Sequence, residues 1–205
     1  MKYGHWVMLA AMCVCATTGL GASVGFKDTF DDEKPDAGAP EGYGVYGVET
    51  ADRGVVETYS HSGKQSTCIT VDFTQDKWGV VLMKERTKGV WDLTGCELSA
   101  EIAAPSDVSG AQGIVGFKLV DADGTSCRTT EEALFVPGAD WSEFRQPVEA
   151  LTMAEEPGKV AGLDLANITQ IGLVFYDRGD VEKVMNFFVD DVQAAPAGDA
   201  IASSK

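Results

Sequence analysis

Two adjacent carboxylates, Asp190 and Asp191, interrupt the strand-like segment NFFVDDVQ near the end of the chain. Like charges repel and aspartate is a poor strand former, so strand propensity does not explain the pair. A calcium ion would explain it, because calcium binds about six to eight hard oxygen ligands, carboxylates and carbonyls among them. The alternative is that one Asp is a solvated turn residue that caps the last strand. Apolar residues flank the pair on both faces, so the sequence does not tell which aspartate points inward.

A second group of side chains combines aromatic rings with charged groups at turns and strand ends. Aromatic rings can stack on the apolar face of a pyranose ring, while charged and amide groups bind its hydroxyls. The alternative is ordinary turn chemistry, because DADG and DRGD are both typical of turns. The candidate ligand-binding residues are Trp78, Tyr176, Asp177, Arg178, Asp121 and Arg128. We expect two further tryptophans, Trp91 and Trp141, to pack against neighbouring residues instead.

The sequence gives little support to catalysis. Glycoside hydrolysis needs two facing carboxylates, and Glu97 and Glu101 share one strand face, but 32 acidic residues make such a pair expected by chance. After the leader only His61 remains as a histidine, which leaves little choice of partner for a nucleophilic triad. We therefore expect a protein that is not an enzyme.

Short β-rich runs recur between Gly, Asp and Ser, whereas helical periodicity is confined to residues 147–155. The pattern predicts strands at residues 24–30, 43–48, 55–59, 66–73, 79–86, 97–103, 113–120, 133–136, 142–148, 170–176 and 184–192. Several runs alternate, with Ile69, Val71 and Phe73 on one face of CITVDF. One apolar and one polar face per strand predicts an all-β fold, a two-sheet antiparallel β-sandwich or jelly roll.

The N-terminal segment has a short basic region, an apolar run of about ten residues and small residues before Ser23. This pattern is typical of a secretory signal and too short for a bilayer, which requires about twenty residues. We expect a signal peptide at 1–22, one domain at 23–193 and a flexible tail at 194–205. The expected location is secreted or periplasmic, with no membrane insertion after signal removal.

The net charge limits the classes of binding partner, and the cysteine count limits the possible disulfides. The net charge of −16 disfavours nucleic acid, anionic membranes and polyanionic glycans, and it favours neutral partners or divalent cations. Three cysteines follow the leader: Cys68, Cys96 and Cys127. Either two of them form a disulfide and the third is a free thiol, or they are buried as small apolar side chains.

Several phrases occur in a recognisable order: FDD, HSGKQSTCITVDF, VWDLTGCELSAEI, VDADG, DWSEFRQPVEAL, LANITQIGLVFYDRG and FFVDDV. Together they resemble the β-jelly-roll carbohydrate-binding modules, of galactose-binding-domain-like fold, that are found in bacterial glycanases. The resemblance covers roughly residues 26–193. It implies a structural calcium held by Asp31, by Asp190 or Asp191, and by backbone carbonyls of residues 63–65, although the family more often has glutamate at the first position.

We accordingly expect a secreted, non-catalytic protein that binds a neutral polysaccharide or oligosaccharide, with a glycanase or a cell-surface protein as a further partner. The polar strand faces carry few aromatic residues, which favours an alternative: a protein-interaction or cell-surface assembly module on the same fold, without sugar binding. A small glycan-active hydrolase or lyase is the third interpretation.

Overall fold

The computed structural model describes residues 26–33, 40–46, 50–73, 80–105, 113–154, 162–177 and 184–197. The predicted signal peptide, the last eight residues of the predicted tail, Trp78 and Arg178 lie outside these ranges. No helix within them is long and apolar enough to cross a membrane.

The described residues form short strands joined by turns and single-turn 3-10 helices. The strands are β1 (Phe26–Asp28), β2 (Tyr43–Tyr46), β3 (Thr50–Val56), β4 (Ser66–Asp72), β5 (Val80–Glu85), β6 (Cys96–Ala103), β7 (Gly113–Asp121), β8 (Ser126–Arg128), β9 (Ser142–Pro147), β10 (Met153–Ala154), β11 (Ile168–Asp177) and β12 (Val184–Pro196). The 3-10 helices are Glu131–Ala133, Val148–Ala150 and Leu165–Asn167.

The strands form two antiparallel sheets. Sheet A has the order β3-β4-β12-β6-β9, with β1 also paired to β12, and sheet B has the order β10-β8-β7-β11-β5-β2. The predicted all-β, two-sheet antiparallel sandwich is therefore confirmed.

One hydrophobic core lies between the sheets. Sheet A contributes Ile69, Leu98 and Phe187, and sheet B contributes Phe117 and Leu173, all of them buried. Alternation in CITVDF predicted the buried face of β4 correctly, because Ile69, Val71 and Phe73 are in this core. The opposite face of each sheet, here called its outer face, is left for other contacts.

The β12 strand shows why alternation around the aspartate pair was ambiguous. Phe187 and Val189 point into the core, and so do Val192 and Ala194, which have the opposite parity. A β-bulge between Asp190 and Gln193 inserts the extra residue, and Asp191 takes a left-handed φ of 47°. Asp190 therefore lies on the outer face of sheet A, and the strand continues to Pro196, three residues past the predicted domain end.

Several local predictions were wrong. The strand expected at 133–136 is a 3-10 helix followed by a single bridge from Phe135 to Val115, and the helical stretch at 147–155 is a 3-10 turn followed by β10. Strands β8 and β10 were missed because they are only three and two residues long, too short for a period-two pattern to be recognised. Of the two alternatives for the cysteines, the second describes Cys96 and Cys127, which are buried in the core, while Cys68 is half-buried.

Candidate functional site

The outer face of sheet B brings together most of the described candidate residues. The register aligns one row of residues across five strands: Gly44, Met83, Gly172, Lys118 and Arg128. At a spacing of about 4.8 Å between strands, this row is about 19 Å long. Gly172 at the centre of the row and Met83 beside it leave a low floor between Tyr46, whose ring covers Gly44 at one end, and Arg128 at the other.

Tyr46 forms the first end of this face. Its ring lies over Gly44, where an added Cβ would stand only 2.5–2.6 Å from ring atoms and the hydroxyl. The hydroxyl donates a 2.7 Å hydrogen bond to Glu85, whose same oxygen accepts a 3.2 Å bond from the Gln170 amide. The bond to Glu85 raises the pKa of Tyr46 above its ordinary value. Tyr46 is 51% exposed and is thus a flat ring held against the sheet with one face open.

Tyr176 and Arg128 form the opposite end. Arg128 Nη1 donates a 2.7 Å hydrogen bond to the Tyr176 hydroxyl, and its guanidinium carbon lies 5.5 Å from the centre of the same ring. Both residues are half-buried. A cation–π contact and a hydrogen bond to one partner fix the guanidinium in place. The sequence predicted both residues as candidates, and the structure joins them.

The floor between the two ends depends on Gly172. A Cβ at this position would meet Met83 Sδ at 2.6 Å and the Leu82 carbonyl oxygen at 2.8 Å. Met83 is almost fully buried, so its thioether covers the glycine and adds an apolar surface. Hydrogen-bonding groups therefore lie at the margins of this face and apolar atoms at its centre.

Two predicted ligand-binding residues, Asp121 and Asp177, are buried and do not lie on the outer face of sheet B. Asp121 is buried, and its carboxylate accepts hydrogen bonds from the backbone N–H groups of Asp123, Thr125 and Asp164. These bonds fix the DADG turn. Asp177, at the end of β11, is also buried, on the inward side of the strand. A small cavity of about 120 Å³ beside Asp121 is lined by the turn and by Asp164 and Asn167, which hydrogen-bond to each other.

Two of the predicted metal residues, Asp31 and Asp190, accept hydrogen bonds from one loop, residues 61–65. Asp190 Oδ2 accepts the N–H groups of His61 and Ser62, each at 3.0 Å. Asp31 Oδ1 accepts those of Lys64 and Gln65 at 2.6 and 3.2 Å, and the carboxylate lies directly against Gly63. We call Asp31, Asp190 and loop 61–65 the clasp. It links the chain after β1 to the last strand.

Asp190 is the buried member of the aspartate pair, on the outer face of sheet A. It is fully buried beneath the loop, and burial raises its pKa to about 6 even though three backbone N–H groups stabilise the anion. No cationic side chain among the described residues makes an ion pair with it. A cation would offset the part of the buried charge that these N–H donors do not, and Asp31 places a second carboxylate at the same loop. Within the described ranges, no group of three or more His, Cys, Asp or Glu could hold a metal ion, so calcium here would depend on these two residues and on backbone carbonyls.

Asp191 is half-buried and contacts basic side chains. His61 Nδ1 lies 3.0 Å from its Oδ2, and Lys27 Nζ lies 3.6 Å from its Oδ1. Burial lowers the pKa of His61, but the hydrogen bond to Asp191 and the charge of Glu101 outweigh it and leave this pKa raised. Burial likewise raises the pKa of Asp191, but its bonds to His61 and Ser62 and the charge of Lys27 outweigh this and leave it lowered.

The residues weighed for catalysis are engaged in ion pairs on the outer face of sheet A. Glu97 pairs with Arg145 at 2.9 Å, Glu101 lies 3.8 Å from His61, and Glu143 pairs with Arg145 at 2.6 Å. On the same side Trp141 stacks on Tyr59 with the ring centres 5.1 Å apart, whereas Trp91 is in the core. The prediction that both tryptophans pack is confirmed.

Sequence reasoning missed the Tyr46, Glu85 and Gln170 group. A signal was present in YGVY, where a glycine and a tyrosine two residues apart share one strand face and the glycine leaves room for the ring. Glu85 and Gln170 are paired across β5 and β11, far apart in sequence, so no local pattern could join them.

Solved structures of similar fold are carbohydrate-binding modules. The family 11 module of Clostridium thermocellum, in complex with a β-1,3-1,4-mixed-linked tetrasaccharide, is 17% identical with a TM-score of 0.57, over 83% of this chain and 96% of that one. The family 30 module of a cellulosomal cellulase from the same organism is 14% identical with a TM-score of 0.52, over 84% and 99%. The resemblance to β-jelly-roll carbohydrate-binding modules is thus confirmed at the level of the fold.

The same fold also occurs as part of a larger enzyme: an exo-β-agarase matches with 11% identity and a TM-score of 0.56, over 85% of this chain and 25% of its own. No protein-family model and no curated protein matches the sequence.

Proposed function

We propose that the chain is a non-catalytic polysaccharide-binding protein and that it binds its ligand on the outer face of sheet B. The observation that carries the proposal is the exposed Tyr46 ring, held flat over Gly44 by its bond to Glu85. A fixed, half-exposed ring can stack on a pyranose with little loss of side-chain entropy on binding.

The remaining groups of the face match what a sugar chain requires. Glu85 and Gln170 beside Tyr46, and Arg128 beside Tyr176, can exchange hydrogen bonds with hydroxyls at the two ends of an apolar floor. The net charge of −16 supports a neutral backbone, because a polyanion would be repelled.

The fold neighbours support the same function. The family 11 module binds a mixed-linked tetrasaccharide. A family 22 module of similar fold binds its ligand with amino acids of a cleft; it is 14% identical with a TM-score of 0.51, over 84% of this chain and 92% of that one. We further propose that the protein is exported, because such a ligand is outside the cell and the N-terminal pattern is typical of a signal peptide.

Affinity electrophoresis through gels that contain neutral β-glucans, xylans or galactans tests this function. The wild-type protein should be retarded by at least one polysaccharide, and Tyr46→Ala and Tyr176→Ala should each migrate faster in that gel. Removal of one stacked ring costs about 1–2 kcal/mol, or roughly ten-fold in affinity.

Trp141→Ala is the matched control, because it removes an aromatic ring from the outer face of sheet A. Its retardation should equal that of the wild type. If no polysaccharide retards the wild type, the sugar-binding function is wrong, and the interaction-module alternative gains support.

We also propose that a calcium ion binds at the clasp. Support comes from the buried Asp190 carboxylate and from Asp31 on the same loop. The ion would offset the cost of the buried charge and join the chain after β1 to β12.

A further inference from the structure

Several basic side chains that the structure describes form an ion pair with a nearby carboxylate, Lys27, Lys84 and Arg145 among them. Arg128 has no such carboxylate among the described residues, and its hydrogen bond goes to the neutral hydroxyl of Tyr176.

Arg86 is similar in this respect, because it donates to the Lys88 carbonyl oxygen and lies over the Trp91 ring. Arg128 differs from Arg86 in its place in the fold: it belongs to the row of residues across the outer face of sheet B, on the surface proposed to bind the polysaccharide.

A second positive charge lies beside it. Lys118 on β7 is the direct cross-strand partner of Arg128 on β8, and both project from the outer face of sheet B. An anion held by Arg128 would therefore lie next to a second cationic side chain.

The chemistry of the guanidinium narrows the ligand. Arginine carries five N–H donors in a planar fork that matches the two oxygens of an oxyanion, and the bond to Tyr176 uses one of them. The contact with the Tyr176 ring limits the orientations of the fork, so less entropy is lost when it binds. A sugar hydroxyl would use one donor, whereas a carboxylate or sulfate would use two.

We infer that Arg128 is the binding site for an anionic substituent, a carboxylate or sulfate ester, on an otherwise neutral polysaccharide. This inference rests on the proposed function and adds the substrate class to it. Sparse substitution is part of the inference, because the charge of −16 would repel a chain with an anion on every sugar.

The test compares one polysaccharide with and without its anionic group. Affinity electrophoresis would use a glucuronate-bearing xylan against its carboxyl-reduced form, and a lightly sulfated galactan against its desulfated form. A charged hydrogen-bonded pair corresponds to about ten-fold or more in affinity. At least one anionic form should therefore bind about ten-fold more tightly than its neutral counterpart, and the pair that shows this identifies carboxylate or sulfate.

Arg128→Gln should abolish this preference, so that the anionic and neutral forms bind the variant equally tightly, whatever the change in affinity for the neutral form. Arg145→Gln removes the same charge from the outer face of sheet A and should keep the full preference. Thermal unfolding of both variants checks that they fold.

The outcomes separate the inference from the function on which it rests. Equal binding of anionic and neutral forms would overturn the anionic subsite and leave polysaccharide binding intact. A preference that survives in Arg128→Gln would overturn the role of this residue. Failure of every form to bind would overturn the proposed function itself.

Discussion

At the scale of single residues, position in the fold decides which acidic groups serve function and which serve structure. Asp121 and Asp177 are of a residue type that commonly binds sugar hydroxyls, but both are buried in sheet B. The carboxylate of Asp121 accepts hydrogen bonds from three backbone N–H groups. Glu85 lies on the outer face of the same sheet and orients Tyr46. Residue type alone could not separate these cases, because the difference lies in which face of the strand each residue occupies.

The aspartate pair gives a residue-scale prediction about calcium. Asp190 is buried in the clasp, whereas Asp191 is held by His61 and Lys27. Calcium at about 100 times its dissociation constant adds about 2.7 kcal/mol to the free energy of unfolding, which corresponds to a rise in Tm of about 5–10 °C for a chain of this size. Differential scanning fluorimetry in calcium and in chelator should show this rise for the wild type.

Asp190→Ala should abolish the rise in Tm, and the neighbouring Asp191→Ala should retain it. The two variants lose the same charge one residue apart, so a general electrostatic effect would change both equally. A wild-type Tm that is the same in calcium and in chelator would remove the calcium proposal.

At the scale of elements, a glycine on an edge strand sets the position of the stacking ring. Ala at position 44 would place a Cβ 2.5–2.6 Å from the Tyr46 ring and hydroxyl and would force the ring off β2. The ring is half-exposed and can move, so the cost in stability should be below about 1 kcal/mol. Affinity for the retained polysaccharide should nevertheless fall about as far as in Tyr46→Ala.

Gly54→Ala is the control, because a Cβ at Gly54 on β3 of sheet A would meet no atom within 4 Å. Isothermal titration of both variants, with thermal unfolding beside it, gives affinity and stability separately. Unchanged affinity in Gly44→Ala would show that the position of the ring over β2 is unimportant.

The strands show how far a sequence can predict this fold. Alternating runs such as CITVDF revealed both the strand and its buried face, because one face packs on the core. Strand β3 begins at Thr50, earlier than expected, because an edge strand tolerates the polar residues TADRG without alternation. In β12 a bulge reverses the parity at Asp191, which no period-two pattern can predict.

At the scale of the whole molecule, the two outer faces of the sandwich have different chemistry. Sheet A carries ion pairs, in which opposite charges lie close together, and the clasp, in which two carboxylates accept backbone N–H groups. Sheet B carries an exposed tyrosine, an apolar floor over Gly172 and an arginine without a described carboxylate partner. The sequence predicted the sandwich, and it named Tyr176 and Arg128 as candidates at two separate turns. It could not predict the row across five strands, because the register between distant strands joins those residues.

Nuclear magnetic resonance tests most directly whether the outer face of sheet B binds a polysaccharide. An oligosaccharide of the retained polysaccharide would be titrated into the isotopically labelled protein while backbone amide shifts are followed. The largest shifts should fall in β2, β5 and β11, around Tyr46, Glu85 and Tyr176, and sheet A should be unaffected. Shifts concentrated on sheet A, around Tyr59 and Trp141, would contradict it.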